Sequence, residues 1–114
     1  MKVRNQRFYV AVRKYFRRLY PSCEFSYETP CGNCRLDMVV KKGDYKIAIE
    51  IKNKRDDIQR GLAELCTAKA YGYNECVLIT TKTKALKMDK RTLQFYRFKL
   101  AYINSKNELV LIEK

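Results

Sequence analysis

Over residues 3–20 the apolar positions recur at helical spacing. Phe8, Val12, Tyr15, Phe16 and Leu19 form one stripe, while Arg4, Arg7, Lys14 and Arg18 gather elsewhere on the cylinder. The pattern predicts an amphipathic helix over 3–20, stopped by Pro21, whose ring cannot continue it. The period then shortens to two. Phe25 to Glu28 predicts a short strand, ended by the turn signals of Thr29-Pro30-Cys31-Gly32. Leu36 to Val40 and Tyr45 to Asn53 predict two more strands, separated by Lys41-Lys42-Gly43-Asp44.

Asp56 reads as a helix N-cap, with Gln59 three residues on completing a capping box. The helix it opens carries Ile58, Leu62, Leu65 and Cys66 on one side and stops at Gly72. Cys76 to Thr81 is a compact β-branched strand. A basic helix is expected over much of 86–98, anchored by Leu93, Phe95 and Phe98. Leu100 to Ile103 and Leu109 to Ile112 flank Asn-Ser-Lys-Asn and predict a closing hairpin. The order is α-β-β-β-α-β-α-β-β, an α/β architecture with helices against a mixed sheet. At 114 residues and 46% hydrophobic, the chain reads as a single domain, 1–114, with an ordinary core.

Charge changes the picture. The formal net charge is +13, and it is concentrated at two places. Residues 1–20 carry seven Lys/Arg and no acid, and residues 82–99 carry seven against Asp89 alone. Residues 21–81 balance at nine against nine. Two basic segments flanking a neutral middle point to a polyanion, because each neutralised phosphate releases counterions. A solvated basic surface and anionic lipid are the other readings; lipid normally goes with an exposed apolar helix face, so nucleic acid is preferred. There is no His, which excludes Ser-His-Asp hydrolysis, Cys-His proteolysis and His-built zinc sites. The longest apolar run is the five residues Phe8 to Val12, so no membrane span or secretion signal is expected and an intracellular, cytoplasmic setting is.

The segment Ile47-Ala48-Ile49-Glu50-Ile51-Lys52 is the most informative. Side chains alternate along a strand, so Glu50 and Lys52 share one face and the three isoleucines the other. If Gly43-Asp44 is a two-residue turn, Lys42 faces Tyr45 and Asp37 falls directly opposite Glu50. A three-residue turn would instead send Asp37 to the other face. Two opposed carboxylates repel unless a cation lies between them, and a hard divalent ion with oxygen ligands suits that place. Such an ion makes a bound water nucleophilic, and a neighbouring Lys steadies charge developing on a phosphate. The plainer reading is a solvent-facing strand ion pair.

Asp37, then twelve residues, then Glu50-Ile51-Lys52 resembles the PD-(D/E)XK, or restriction-endonuclease-like, nuclease superfamily. The order helix, three strands, helix, strand over residues 3–81 is similar to its common core, with the closing hairpin as an addition. The resemblance implies metal-dependent DNA cleavage, with Asp37 and Glu50 holding Mg²⁺ (Mn²⁺ substituting) and Lys52 catalytic. It also implies an upstream acid, for which Glu28 is the candidate and Glu24 the reserve, and a homodimer that nicks opposed strands. Leu36 stands where the family name has Pro. Archaeal Holliday junction resolvases, close in size, carry their extra Glu in the first helix, and residues 1–23 here contain no acid. Gln59 is followed four residues later by Ala63, not the Tyr of the RecB-like branch.

Pro30-Cys31-Gly32-Asn33-Cys34 precedes a strand pattern, whereas a redox Cys-x-x-Cys should open a helix. Cys23, Cys31 and Cys34 give three of the four ligands a zinc or iron–sulfur site needs; Cys66 or Cys76 would have to complete it. Free thiols are favoured over a disulfide or a metal site. Lys54 and Arg55 follow Lys52 and are expected at the rim of the site as phosphate contacts. The expectation is a small endonuclease whose first helix (Arg4, Arg7, Lys14, Arg18) and 82–99 segment hold DNA beside Glu28, Asp37, Glu50 and Lys52. Its substrate is open between four-way junctions, flaps, specific sites and any duplex. The rival is a non-catalytic basic DNA-binding module in which the acids only balance nearby lysines.

Overall fold

A computed structural model describes residues 6–112. A first helix, α1 (Gln6–Leu19), leads into strands β1 (Glu24–Cys31), β2 (Cys34–Lys42) and β3 (Tyr45–Ile51). Helix α2 (Ile58–Ala70) and β4 (Glu75–Thr80) follow, then α3 (Lys82–Lys87), α4 (Lys90–Tyr96), β5 (Lys99–Ile103) and β6 (Leu109–Ile112). The six strands form one sheet in chain order, β1 to β6. The β1–β2–β3 meander and the β5–β6 pair are antiparallel, while β3–β4 and β4–β5 are parallel.

Parallel neighbours need a crossover, and successive right-handed crossovers in one direction place their helices on one face. Accordingly α2, α3 and α4 share a face, where Leu62, Leu65, Ala85 and Leu93 pack with Ala48, Leu78, Leu100 and Phe98. Helix α1 covers the other, where Phe8, Tyr9, Val12 and Phe16 meet Met38, Ile47, Ile49, Ile51 and Val77. Both faces are covered, so β3 and β4 are buried almost throughout.

Several boundaries differ from the sequence expectation. The β1 strand runs on through Thr29 and Pro30, and the reversal is the two-residue Gly32-Asn33 turn between Cys31 and Cys34. Pro30 is tolerated because β1 is an edge strand, where a missing N–H can face solvent. The N-cap of α2 is Asp57, whose carboxylate accepts from the Gln59 N–H; Asp56 instead accepts from the Asn53 N–H in the preceding turn. The single basic helix over 86–98 is two short helices. Met88 is extended, and Asp89 caps α4 by accepting from the Arg91 N–H. Of its expected anchors Leu93 and Phe98 are buried, but Phe95 is 80% exposed. On α1, Tyr9 and Ala11 are buried while Leu19 stands out in solvent. Among the described residues no helix is long and apolar enough to cross a membrane.

Candidate active site

Gly43 adopts a left-handed φ of 58°, and Lys42 pairs with Tyr45, so the β2–β3 turn is the two-residue type. The ladder continues to Met38 opposite Ile49 and ends there, one step short of Asp37 and Glu50. At that step the carboxylates take over the strand-to-strand bonding. The Asp37 N–H donates to Glu50 Oε2 at 2.7 Å, and the Ile51 N–H donates to Asp37 Oδ2 at 2.8 Å. Each acid is therefore fixed in place by an amide of the opposite strand. Beyond this point β3 leans on β4, with the Lys52 N–H donating to the Ile79 carbonyl at 2.8 Å.

Asp37, Glu50 and Lys52 are the buried charged side chains among the described residues, at 6%, 1% and 6% exposure. Burying charge is expensive without partners, so such a group marks a place where something other than stability was selected. The Lys52 ammonium lies 3.8 Å from Glu50 Oε1 and 3.4 Å from Glu64 Oε1 on α2. Its stem runs past Gly61, where a Cβ would come within 3.0 Å of Lys52 Cε. Glu50 Oε1 has no hydrogen-bond partner among the described residues. Burial, then the charge of Asp37 and the neighbouring Glu64 carboxyl, push the Glu50 carboxyl from 4.5 up to about 9. Without a cation in the cleft, Glu50 therefore carries a proton at neutral pH.

These side chains floor a cleft of about 800 Å³ walled by the β1–β2 hairpin, the start of α2 and the loop before it. Glu28 lines it too. Its position faces Asp37 in the β1–β2 register, at the one step where the pairing is interrupted, and its φ of 50° is in the left-handed region. A non-glycine residue there is strained by about 1–3 kcal/mol, a cost that recurs at functional sites. Glu24 sits at the far end of β1 opposite Lys41, away from the cleft.

No family model matches the chain, and no curated protein matches it in sequence. Solved structures do match. The chain is similar to an XisH family protein from Nostoc punctiforme, with a TM-score of 0.65 and 14% identity, covering 96% of this chain and 98% of that one. It is similar to an fdxN element excision controlling factor protein from Anabaena variabilis at a TM-score of 0.62 and 12% identity, covering 94% and 98%. Pyrococcus furiosus SfsA, solved with Ca²⁺, aligns at a TM-score of 0.51 and 14% identity over 91% of this chain and 59% of that one. The fold is restriction-endonuclease-like.

In this restriction-endonuclease-like frame the structure brings Glu28, Asp37, Glu50 and Lys52 to one cleft. Lys54 and Arg55 stand exposed in the loop just past Lys52 and outside the cleft lining. Arg4 lies outside the described residues. Arg7 is committed elsewhere: its guanidinium donates to the Asn104 carbonyl at 2.9 Å and to Asn107, tying α1 to the β5–β6 turn. Lys14 and Arg18 line a small crevice with Asn107 and Leu109, on the far face and edge of the sheet from the cleft. The five cysteines are free thiols; Cys31 and Cys34 face each other across the hairpin turn. Among the described residues no three His, Cys, Asp or Glu side chains form a ready-made ion site.

Sequence reasoning missed Glu64, Arg35 and Arg60, all of which line the cleft. Glu64 follows Arg60 by one helical turn, so both fall on the face of α2 toward the cleft, but isolated charges on a helix carry no spacing signal. It also missed Tyr9 as a near neighbour. Its fully buried hydroxyl has no partner among the described residues, and burial, Asp37, Glu28 and Glu50 together hold the phenol well above its usual range.

Proposed function

We propose that the protein is a metal-dependent DNA endonuclease that hydrolyses phosphodiester bonds. The observation that carries this reading is the buried trio Asp37, Glu50 and Lys52 at the floor of a cleft, with Glu50 Oε1 lacking a donor. The restriction-endonuclease-like fold supports it, as do neighbours described as an excision controlling factor and as a Ca²⁺ complex.

The donor set suits a hard divalent ion. Mg²⁺ is commonly held by one or two carboxylates with several waters kept, so Asp37 and the donor-less oxygen of Glu50 suffice without a third side chain. When bound, the ion supplies an activated water and charge neutralisation at a phosphate. The chain's own residues do the rest. Asp37 and Glu50 are pre-set by the opposing amides, so they need not reorganise on binding. Lys52 stands beside Glu50 as a fixed positive charge for a phosphate that accumulates negative charge during displacement. Glu64 holds that ammonium from the α2 side and so sets where it points. Glu28 faces Asp37 as a further acid for orienting water. Arg35 and Arg60, on opposite walls, are placed to hold the flanking backbone. A second copy of the chain would supply the second nick of a duplex cut.

The test is cleavage of labelled duplex, flap and four-way junction DNA with Mg²⁺ or Mn²⁺, beside Asp37→Ala and Glu50→Ala. Metal-dependent cutting by the wild type, reduced at least ~10³-fold in both variants, is the expected result. Binding of all three DNAs with no cutting by the wild type would instead make the protein a non-catalytic DNA-binding module.

A further inference from the structure

Phe95 is a large aromatic side chain held out in solvent at 80% exposure, and its surroundings are built rather than accidental. It meets Tyr96 edge-on at 5.0 Å between centroids, and Tyr96 stacks on the fully buried Phe98 at 5.4 Å. Three rings thus step from the core to the surface. The turn that arranges them needs a left-handed residue after α4, and that residue is Arg97, at φ 60°, not the usual glycine. The choice places an exposed cation next to Tyr96 in the chain, at the expense of backbone strain. Arg91, one turn before Phe95, is also exposed; neither arginine makes a side-chain hydrogen bond or ion pair among the described residues.

The helices that carry and precede the platform are tied to their neighbours, the platform itself to the C-terminal end of α2. The Lys84 ammonium on α3 donates to the Asn53 and Asp56 carbonyls at 3.3 and 2.9 Å. From α2, the Lys69 ammonium donates to the Tyr96 carbonyl. An exposed apolar ring invites either a second copy of the chain or a partner with π faces. Charge decides between them, because segment 82–99 has seven Lys/Arg against one Asp and would meet its own charge in a symmetric dimer.

We propose that Phe95 and Tyr96, flanked by Arg91 and Arg97, form a stacking platform for an unpaired base, so that the preferred ligand is DNA with single-stranded or unstacked nucleotides. This deepens the nuclease reading and rests on it for the role of the platform in substrate choice. A base gives an aromatic platform its face only when it is out of the duplex stack, and neighbouring cations hold the strand. A fully paired duplex offers only the cations something to bind.

Binding is measured in EDTA, where no metal-dependent cutting occurs, by fluorescence anisotropy on a labelled single-stranded oligonucleotide, a flapped duplex and a hairpin-capped duplex. Phe95→Ala is expected to weaken the first two about tenfold and the capped duplex by less than about twofold. Phe95→Trp should retain affinity. Arg97→Gly, which relieves the left-handed strain and so folds at least as well, should still weaken the single strand. Equal single-strand affinity for wild type and Phe95→Ala overturns the proposal. So does sedimentation in which Phe95→Ala turns a dimer into a monomer, which would make a second copy the occupant. A wild type that shows the Phe95 dependence but cuts nothing with Mg²⁺ supports the platform while removing the nuclease reading. Cutting without the Phe95 dependence does the reverse.

Discussion

Glu50 shows how a single buried group ties the site to the stability of the whole chain. In the metal-free folded protein its carboxyl keeps a proton up to about pH 9, whereas in the unfolded chain it releases it near 4.5. Between those values the folded state holds the extra proton. The contribution is fully present below pH 4.5, falls as pH rises through the window, and is lost by about pH 9. The metal-free protein should therefore melt progressively lower from pH 5 to pH 9. Glu50→Gln, neutral at every pH, should flatten that dependence and melt about 5 °C or more above the wild type at pH 8 in EDTA. Thermal melts followed by circular dichroism check both. A divalent ion reverses the balance, because it takes over from the proton: Mg²⁺ should raise the wild-type melting temperature and leave Glu50→Gln nearly unmoved. An identical pH slope in the two proteins would show that Glu50 is ionised without metal. Asp37, Glu50 and Lys52 were legible in the sequence because alternation puts Glu50 and Lys52 on one face and a two-residue Gly43-Asp44 turn, the length found here and one of two considered, brings Asp37 opposite Glu50. Glu64 was not, because its meeting with Lys52 depends on how α2 lies over the sheet.

At the scale of elements, the contact of α2 with the sheet positions Lys52, and Gly61 permits it. Alanine at an interior helix position is favoured over glycine by about 1 kcal/mol, so Gly61→Ala would ordinarily stabilise α2. Here its Cβ would press within 3.0 Å of Lys52 Cε and 3.1 Å of Cγ. The flexible lysine gives way more easily than Leu78 or the backbone, and its ammonium shifts from between Glu50 and Glu64. Gly61→Ala is expected to fold, with a melting temperature within a few degrees of the wild type, yet to lose at least tenfold in kcat with KM little changed. Single-turnover cleavage separates the two; a wild-type rate would mean that Lys52 has room to adapt. The same scale explains what the sequence hid. Strand pairing and the closing hairpin followed from alternation and turn residues. Two misplacements, the shift from Asp56 to Asp57 at the start of α2 and the break at Met88-Asp89, were both cap choices. Asp56 and Asp57 are both N-cap residue types, the capping box favoured Asp56, and only the observed bond from the Gln59 N–H selects Asp57. Asp89 carried an N-cap signal that a single helix drawn across 86–98 passed over.

For the whole molecule, a net charge of +13 overstates what is free to meet DNA. Arg7, Arg13, Arg17, Lys42, Lys46 and Lys82 lie over aromatic rings, those of Phe8, Tyr27, Phe25, Tyr20, Tyr73 and Tyr102. The two basic segments also end up on different faces: α1 covers one side of the sheet, while α3, α4 and the cleft share the other. On the proposed reading, a straight duplex entering the cleft would pass Lys54 and Arg55, exposed in the loop just past Lys52, but not Lys14 and Arg18, which lie toward β6 on the far face. Each phosphate contact adds about 0.9 to the slope of log affinity against log salt. The double variant Lys54→Ala, Arg55→Ala should therefore lower that slope by about 2 and weaken duplex binding at every sequence. Lys14→Ala with Arg18→Ala should change the slope by less than about half of that. Anisotropy titrations of duplex DNA across a range of KCl concentrations in EDTA read both slopes directly. Equal losses from the two pairs would require DNA that wraps around the edge of the sheet, returning α1 to the interface; a loss from the Lys54–Arg55 pair alone would confine recognition to the face on which the carboxylates open.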